Sequence, residues 1–148
     1  MKIEPPIEVL LVEDDLGDVL LIQDAFAEHE MNARLSVVGD GVDALAFLNK
    51  EGEFADAPDP ELMLLDLNMP RMNGREVLAV VKTDERWRHL PIVVLTTSRS
   101  HDDVLGSYRA HPNAFITKPA DLHRFIAVVS QIKGFFTETA RLPRSADR

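Results

Sequence analysis

Short apolar runs alternate with segments of helical periodicity along most of the chain. Ile7–Val12 is apolar apart from Glu8, and from Leu16 onward apolar residues recur at three- and four-residue steps, which predicts a strand followed by a helix of about three turns. The same alternation occurs five times. The five predicted strands are Ile7–Val12, Leu35–Val38, Leu62–Asp66, a fourth headed by Pro91 whose apolar run Ile92–Leu95 leads into Thr96, and Ala114–Thr117.

Residues that start or stop helices stand at the borders between these segments. Asn73, followed three residues later by Glu76, predicts a capping box that opens the third helix. Asp121 is placed to cap the last helix, which carries its apolar residues on one stripe. The stretch 53–61 contains two prolines and is predicted to be a loop, because proline removes a backbone donor and restricts the residue before it.

The order of these elements predicts the architecture. Five strand–helix units indicate an α/β fold with a parallel sheet covered by helices on both faces. Right-handed crossovers and a switch point beside the first strand favour the strand order 2-1-3-4-5, the flavodoxin-like doubly wound arrangement. We expect one domain over residues 7–134, a flexible segment at 1–6 before it, and an extension of the last helix with a tail at 135–148.

Composition narrows the function classes without changing the fold prediction. The 148 residues are 45% hydrophobic and 28% charged, as in ordinary soluble globular domains. The net charge of −9 repels nucleic acid and anionic lipid, so we expect no nucleic-acid or membrane partner. Cysteine is absent, which excludes disulfides and thiolate metal sites, and residues 1–6 lack the apolar core of a signal peptide. A cytoplasmic location is the expectation.

Four of the predicted strands lead into side chains that can carry chemistry. In a parallel sheet the carboxyl ends of the strands share one edge, where open α/β folds place their sites. These side chains therefore converge on one pocket if the sheet forms as predicted. In chain order they are Glu13, Asp14 and Asp15 after the first strand, Asp66 at the end of the third, Thr96 and Thr97 at the fourth, and Lys118 after the fifth.

The carboxylates of this pocket predict a divalent-cation site. Three anions in one crevice repel one another unless a cation joins them, and oxygen ligands with open positions suit Mg²⁺. A solvated acidic loop is nevertheless the commoner fate of a Glu-Asp-Asp run by itself. Asp66 strengthens the prediction of a cation site, because burying a carboxylate at the end of a strand is unfavourable unless something compensates its charge. It could cap a nearby helix, or attack phosphorus and hold the phosphoryl group as an acyl phosphate.

Lys118 and Thr96 supply the charge and the hydroxyl that a phosphoryl group requires. A lysine ammonium pairs with one phosphoryl oxygen, and a threonine hydroxyl donates to another. By themselves both are ordinary residues of strand ends. Their occurrence with the acidic cluster, in an order that the sheet brings to one edge, indicates phosphoryl transfer.

From about Ile7 to Ile132 the sequence resembles the receiver domains of bacterial two-component response regulators. The residues that carry the resemblance are Val12-Glu13-Asp14, Asp66-Leu67-Asn68-Met69-Pro70, Asn73-Gly74, Thr96 and Lys118-Pro119. The resemblance implies that Asp66 is the phosphoacceptor and takes its phosphoryl group from a histidine kinase. It also implies Mg²⁺ held by Asp14, Asp66 and the main-chain carbonyl of Asn68, with Glu13 acting mostly through water.

The same resemblance assigns roles to the remaining residues of the pocket. Thr96 and Lys118 bind the phosphoryl group, and Asp15 is a neighbour of the acidic pair that is not expected to be a ligand. Phe115 falls where the family carries an aromatic ring that turns inward as the threonine moves toward the phosphate. Phe115 could equally be a permanently buried core ring.

An apolar surface beyond the core is expected to transmit the signal, since we expect no effector domain after the receiver. Its residues belong to the predicted fourth and last helices and are Leu105, Tyr108, Val128, Phe135 and Phe136. Phe135 and Phe136 could instead fold back over the edge of the sheet. The tail around them is similar to that of small stand-alone regulators that pair with bacterial phytochrome kinases. That similarity implies a homodimer formed through the fourth helix, the fifth strand and the fifth helix.

Two other function classes compete with this interpretation. A phosphatase of the haloacid-dehalogenase type also uses a strand-end aspartate, but it needs a second aspartate two residues later as general acid. Asn68 occupies that position here, and an amide does not transfer protons. A receiver fold that acts only as a binding module usually lacks the acceptor, the lysine or the acidic pair, and all are present. We therefore predict a phosphoacceptor that is not an enzyme beyond its own phosphorylation and dephosphorylation.

Overall fold

The computed structural model describes residues 6–28, 32–67, 69, 71–96, 114–117 and 127. Strands and helices alternate along these residues, as the hydrophobic pattern predicts. The elements are β1 (Ile7–Val12), α1 (Leu16–Glu28), β2 (Ala33–Val38), α2 (Gly41–Leu48), a 3₁₀ turn (Gly52–Phe54), β3 (Leu62–Asp66), α3 (Gly74–Thr83), β4 (Ile92–Thr96) and β5 (Ala114–Thr117).

The five strands form one parallel sheet in the order β2-β1-β3-β4-β5. Val12, the last residue of β1, pairs with Val38 on one side and Leu65 on the other. Asp66, the last residue of β3, pairs with Leu95 of β4. The carboxyl ends of neighbouring strands therefore lie side by side, and the predicted fold class and strand order are confirmed.

Strands β3 and β4 are apolar up to their last residues because helices cover both faces of the sheet. Successive residues of a strand point to opposite faces. In β1, Leu10 and Val12 pack with α2 and α3, whereas Val9 and Leu11 pack with α1. All four side chains are at most 2% exposed, so burial on both faces fixes the register of the central strands.

The predicted capping box opens α3. The Asn73 side chain accepts a hydrogen bond from the Glu76 N–H at 3.0 Å, and the Glu76 carboxylate accepts one from the Asn73 N–H at 3.3 Å. These two bonds satisfy donors that the first turn of a helix leaves open. The loop after β3 is thereby anchored at its far end.

Strand β2 begins at Ala33, two residues earlier than the predicted start at Leu35. Ala33 pairs with Ile7 of β1, and Arg34 pairs with Glu8. The Arg34 guanidinium lies 3.1 Å from the Glu8 carboxylate, so a cross-strand ion pair keeps a charged residue inside the strand. A pattern that counts only apolar residues misses such a position.

The predicted loop over residues 53–61 is wrong at its start, where the Gly52–Phe54 segment forms a 3₁₀ turn. The Phe54 ring packs against the Phe47 ring of α2, with centroids 5.6 Å apart. This contact anchors the connection between α2 and β3.

The predicted fourth helix and the Asp121 cap lie outside the described residues. Residue 127 is helical, in agreement with the predicted last helix. Within the described part of the chain, no helix has the length and apolar character needed to cross a membrane.

Candidate metal and phosphoryl-acceptor site

The ends of β1 and β3 bring three carboxylates together. Glu13, Asp14 and Asp66 each place a carboxylate oxygen within 4.8 Å of the others. Glu13 and Asp66 are 2% and 3% exposed, whereas Asp14 faces solvent. The predicted acidic cluster therefore forms, and it combines two buried carboxyl side chains with one that a ligand can reach from solvent.

Asp15 is the capping residue of α1 rather than a member of this cluster. Its carboxylate accepts the Asp18 N–H at 3.1 Å, and its carbonyl accepts the Val19 N–H at 3.0 Å. Its own N–H donates to Glu13 Oε1 at 3.0 Å, which orients the Glu13 side chain. An aspartate directly before Leu16, the first residue of the helical pattern, is a capping signal that was not predicted from the sequence.

The donor set fits a hard divalent cation. Burial of carboxylates is unfavourable unless opposite charge or hydrogen-bond donors compensate it, and three in one place repel one another. Oxygen ligands of this type suit Mg²⁺ or Mn²⁺, which accept one or two carboxylates and keep further positions for water or phosphate. Glu13, Asp14 and Asp66 are the described residues that could hold such an ion.

Gly74 sets the start of α3 directly against the backbone of Asp66. A Cβ atom at position 74 would lie 2.2 Å from the Asp66 carbonyl oxygen. The Gly74 N–H donates to the Leu67 carbonyl at 3.1 Å, which closes the loop between β3 and α3 at its base. Asn73 is therefore needed to cap the helix, and Gly74 is needed because a side chain would not fit against Asp66.

An ion pair that was not predicted from the sequence joins the connection between β3 and α3 to the start of α2. Arg71 Nε and Nη2 contact Asp40 Oδ2 at 2.6 and 2.5 Å, and Nη2 lies 3.3 Å from Asp43. Burial raises the pKa of Asp40, but hydrogen bonds from the Asp43 N–H and the Arg71 guanidinium outweigh it and hold that pKa below its usual value. Asp40 also caps α2, a role that its position before a helical pattern could have indicated.

Thr96 is at the same edge of the sheet. It ends β4 one residue after Leu95, the partner of Asp66, and its own partner on β5 is Thr117. Phe115 belongs to β5 and pairs with Val94. The other predicted residues of the pocket and of the interface lie outside the described residues; they are Asn68, Thr97, Lys118, Leu105, Tyr108, Val128, Phe135 and Phe136.

This doubly wound sheet with acidic residues at the ends of β1 and β3 has the arrangement of a receiver domain. Residues 9–130 match the family described as "Response regulator receiver domain". The chain belongs to this family, so it has a phosphoacceptor role, and receiver domains obtain their phosphoryl group from histidine kinases. The match favours the receiver interpretation over the phosphatase.

Individual response regulators are similar to this protein over nearly the whole chain. The response regulator Rcp1 of Synechocystis sp. is 42% identical over 139 residues, which cover 94% of this chain and 95% of Rcp1. The phosphorylated cyanobacterial phytochrome response regulator RcpA has a structure with a TM-score of 0.82 at 44% identity, covering 93% of this chain and 99% of that chain. The Mn²⁺-bound form of Rcp1 gives a TM-score of 0.81 at 42% identity, with the same coverage.

Proposed function

We propose that the protein accepts a phosphoryl group on Asp66, with Mg²⁺ held by Glu13, Asp14, Asp66 and the main-chain carbonyl of Asn68. The observation that carries the proposal is the convergence of three carboxylate oxygens within 4.8 Å at the carboxyl edge of the sheet. A bound Mg²⁺ would neutralise charge on the incoming phosphoryl oxygens. Autophosphorylation by a small phosphodonor and self-dephosphorylation belong to the same proposal.

Asp66 is the best placed of the three carboxylates to act as nucleophile. It ends a central strand whose backbone is held on one side by β4, where Leu67 N–H donates to the Leu95 carbonyl at 3.2 Å. Gly74 packs against its carbonyl from α3. Glu13 and Asp14 instead lie in the connection between β1 and α1. In-line attack requires a fixed attacking oxygen, which favours the residue with the most constrained main chain.

The reaction is a transfer between a phosphohistidine and a carboxylate. An Asp66 oxygen forms a bond to phosphorus while the bond from phosphorus to the donor nitrogen breaks, and the product is an acyl phosphate. Lys118 and Thr96 are proposed to bind the phosphoryl oxygens. The end of β4 adjoins the end of β3 in the sheet, which supports the assignment of Thr96.

The phosphorylated state is proposed to act through a surface of the protein. Movement of Thr96 toward the phosphate and inward rotation of Phe115 would couple the site to β5, since two packings of a core ring are a bistable element. The proposed homodimer forms through the fourth helix, β5 and the last helix, with Leu105, Tyr108 and Val128 among its residues. Phosphorylation would then bias partner binding at that surface.

A phytochrome-type kinase is the proposed phosphodonor. The support is the similarity to RcpA, named as a cyanobacterial phytochrome response regulator, at 44% identity over 93% of this chain. Phosphotransfer profiling against the histidine kinases of the host tests this point. Transfer that is fastest from a kinase of another sensory class would contradict it.

Incubation with acetyl phosphate and Mg²⁺, followed by intact-protein mass measurement, tests the chemistry. The expected product carries one phosphoryl group, and Asp66→Asn abolishes it. Asp15→Asn is the matched control, because asparagine also caps helices and position 15 lies outside the carboxylate cluster. Multiple turnover of a generic phosphate ester would indicate a phosphatase, and absence of any adduct a binding module.

A further inference from the structure

The turn between β2 and α2, residues 38–41, contacts both segments that carry the acidic cluster. These are the connection after β1, with Glu13, and the loop that follows Asp66. The Val38 carbonyl accepts the Glu13 N–H at 3.0 Å, so one end of the turn holds the main chain of a cluster carboxylate. The Gly41 N–H donates to the Met72 carbonyl at 3.0 Å, so the other end holds the loop that follows Asp66. One short segment thus spans the two halves of the proposed metal site.

The side chain of Asp40 strengthens the second contact. Arg71 lies in the β3–α3 loop, residues 67–73, and its Nε donates to Asp40 Oδ2 at 2.6 Å. Its Nη2 lies 2.5 Å from the same oxygen and 3.3 Å from Asp43 Oδ1. Asp40 is buried, whereas the Arg71 side chain is 56% exposed, so the guanidinium covers the carboxylate from outside.

The backbone of Arg71 indicates that its side chain has a specific role. Its φ is +61°, in the left-handed region that glycine and asparagine adopt most readily. If only the backbone conformation mattered at position 71, glycine or asparagine would be expected there. Arginine at a strained backbone position is consistent with a contact that offsets the strain.

The described residues of the loop are held at several points, of which the ion pair is one. Its base closes through the Gly74 N–H and the Leu67 carbonyl at 3.1 Å, and the Gly41–Met72 bond is at its outer part. Met69 and Met72 are partly buried and pack against the hydrophobic core. The Arg71–Asp40 ion pair adds a charged contact to these, and it joins the loop to the turn whose Val38 carbonyl holds Glu13.

We propose that the Arg71–Asp40 ion pair is a positioning contact for the metal site, holding the β3–α3 loop at a fixed spacing from Glu13. This inference rests on the proposed function, since the loop contains Asn68, whose carbonyl is the proposed main-chain ligand. Arg71 and Asp40 touch no substrate and act through the loop. Loss of the pair weakens cation binding because the loop ligand is no longer held in place.

Mn²⁺ binding to the purified full chain tests the proposal, with free Mn²⁺ counted by its electron paramagnetic resonance signal. Arg71→Gly removes the ion pair while accepting the positive φ, and Asp40→Asn removes the charge while keeping an N-cap. Each variant is expected to bind Mn²⁺ about 10-fold more weakly, the lower end of the effect of residues that support metal ligands. The double variant is expected to lose no more than either single variant, because both remove the same contact.

Asp59→Asn is the matched control. It breaks the ion pair between Lys50 and Asp59, 2.7 Å apart, which lies at the opposite edge of the sheet, before β3. It is expected to keep the Mn²⁺ affinity of the wild type. Thermal unfolding without metal, measured on all variants, separates a loss of affinity from a loss of folded protein.

The outcomes distinguish this inference from the proposed function. Wild-type binding that Asp14→Asn abolishes supports the metal site, and wild-type affinity in both Arg71→Gly and Asp40→Asn would then overturn the positioning role alone. An equal loss in Asp59→Asn, or additive losses in the double variant, would also overturn it. Failure of the wild type to bind Mn²⁺ would remove the proposed metal site, and the positioning role with it.

Discussion

Gly74 lies against the main chain of Asp66, and the contact leaves no room for a side chain. A Cβ atom at position 74 would fall 2.2 Å from the Asp66 carbonyl oxygen and 2.8 Å from the Cα of Leu67. Both neighbours are backbone atoms, which cannot rotate away as a flexible side chain can. The start of α3 and the backbone of the proposed phosphoacceptor are therefore positioned together.

Substitution of this glycine is expected to disturb stability and chemistry at once. Gly74→Ala should lower the free energy of unfolding by about 1–3 kcal/mol, the usual range for overpacking. It should also slow phosphorylation by acetyl phosphate, because the Asp66 main chain must shift. Urea unfolding and an intact-mass time course measure the two effects. Gly39→Ala is the control, since nothing lies within 4 Å of a Cβ there.

The negative charge of the cluster predicts how the unfolding temperature responds to mutation of Asp66 and to Mg²⁺. In metal-free protein, Asp66→Asn should raise the unfolding temperature, because it removes one of three mutually repelling carboxylates. Mg²⁺ at one hundred times its dissociation constant should stabilise the wild type by about 2.7 kcal/mol. The variant should respond much less. Calorimetry with and without Mg²⁺ makes the comparison, and equal shifts in both proteins would contradict a site that includes Asp66.

The lowered pKa of Asp40 predicts how stability depends on pH. Its hydrogen bonds from Asp43 and Arg71 hold the folded-state pKa below the ordinary 3.8 of an aspartate, despite its burial. The unfolded chain therefore takes up the proton first as the pH falls. The stabilisation is fully present above the unfolded-state pKa and is lost as the pH drops through the folded-state pKa.

Asp40→Asn isolates this effect because asparagine keeps the helix cap but does not titrate. The difference in unfolding free energy between wild type and Asp40→Asn should be constant near neutral pH and should shrink as the pH falls below 3.8. Denaturant unfolding over a series of pH values measures it. A difference that grows on acidification would show that the folded-state pKa is raised instead.

Helix α1 presents exposed leucines immediately after the acidic cluster. Leu16 and Leu20 lie one helical turn apart and are 70% and 50% exposed. If the kinase docks there, Leu16→Ala/Leu20→Ala should slow phosphotransfer from the cognate kinase by about 5- to 10-fold, the effect of losing more than 1 kcal/mol at an interface. Phosphorylation by acetyl phosphate should be unchanged. Val80→Ala, on α3 and 41% exposed, is the control.

Lys50 lies two residues after the end of α2 and has a left-handed conformation, with φ +54°. The Lys50 N–H donates to the Phe47 carbonyl and the Glu51 N–H to the Ala46 carbonyl, the pattern in which glycine is usual. Lys50 Nζ also contacts Asp59 at 2.7 Å. Lys50→Gly should therefore be about 1 kcal/mol more stable than Lys50→Ala, because only alanine keeps the left-handed strain. Thermal unfolding compares them, and both should be phosphorylated at the wild-type rate.

Hydrophobic periodicity was sufficient to predict the sheet. A run such as Leu62–Asp66 is apolar throughout because both of its faces are buried, and that requirement is visible in one dimension. Handedness and connection rules then led to the strand order, and the strand order brought Glu13, Asp14 and Asp66 to one edge. Capping chemistry is equally local, so the Asn73–Glu76 box could be predicted from spacing alone.

Contacts between residues distant in the chain were decided only by the tertiary structure. Arg71 reaches Asp40 across 31 positions, and nothing in the composition of either segment indicates the pairing. The close contact of Gly74 with the Asp66 main chain, which leaves no room for a Cβ atom, likewise depends on how α3 packs. An Asn-Gly pair occurs in sequences for several local reasons, so it does not by itself indicate this contact. Local patterns determine which elements form because each element satisfies its own backbone and its own buried face. The spacing within the site depends on how those elements pack against one another, which no single segment encodes.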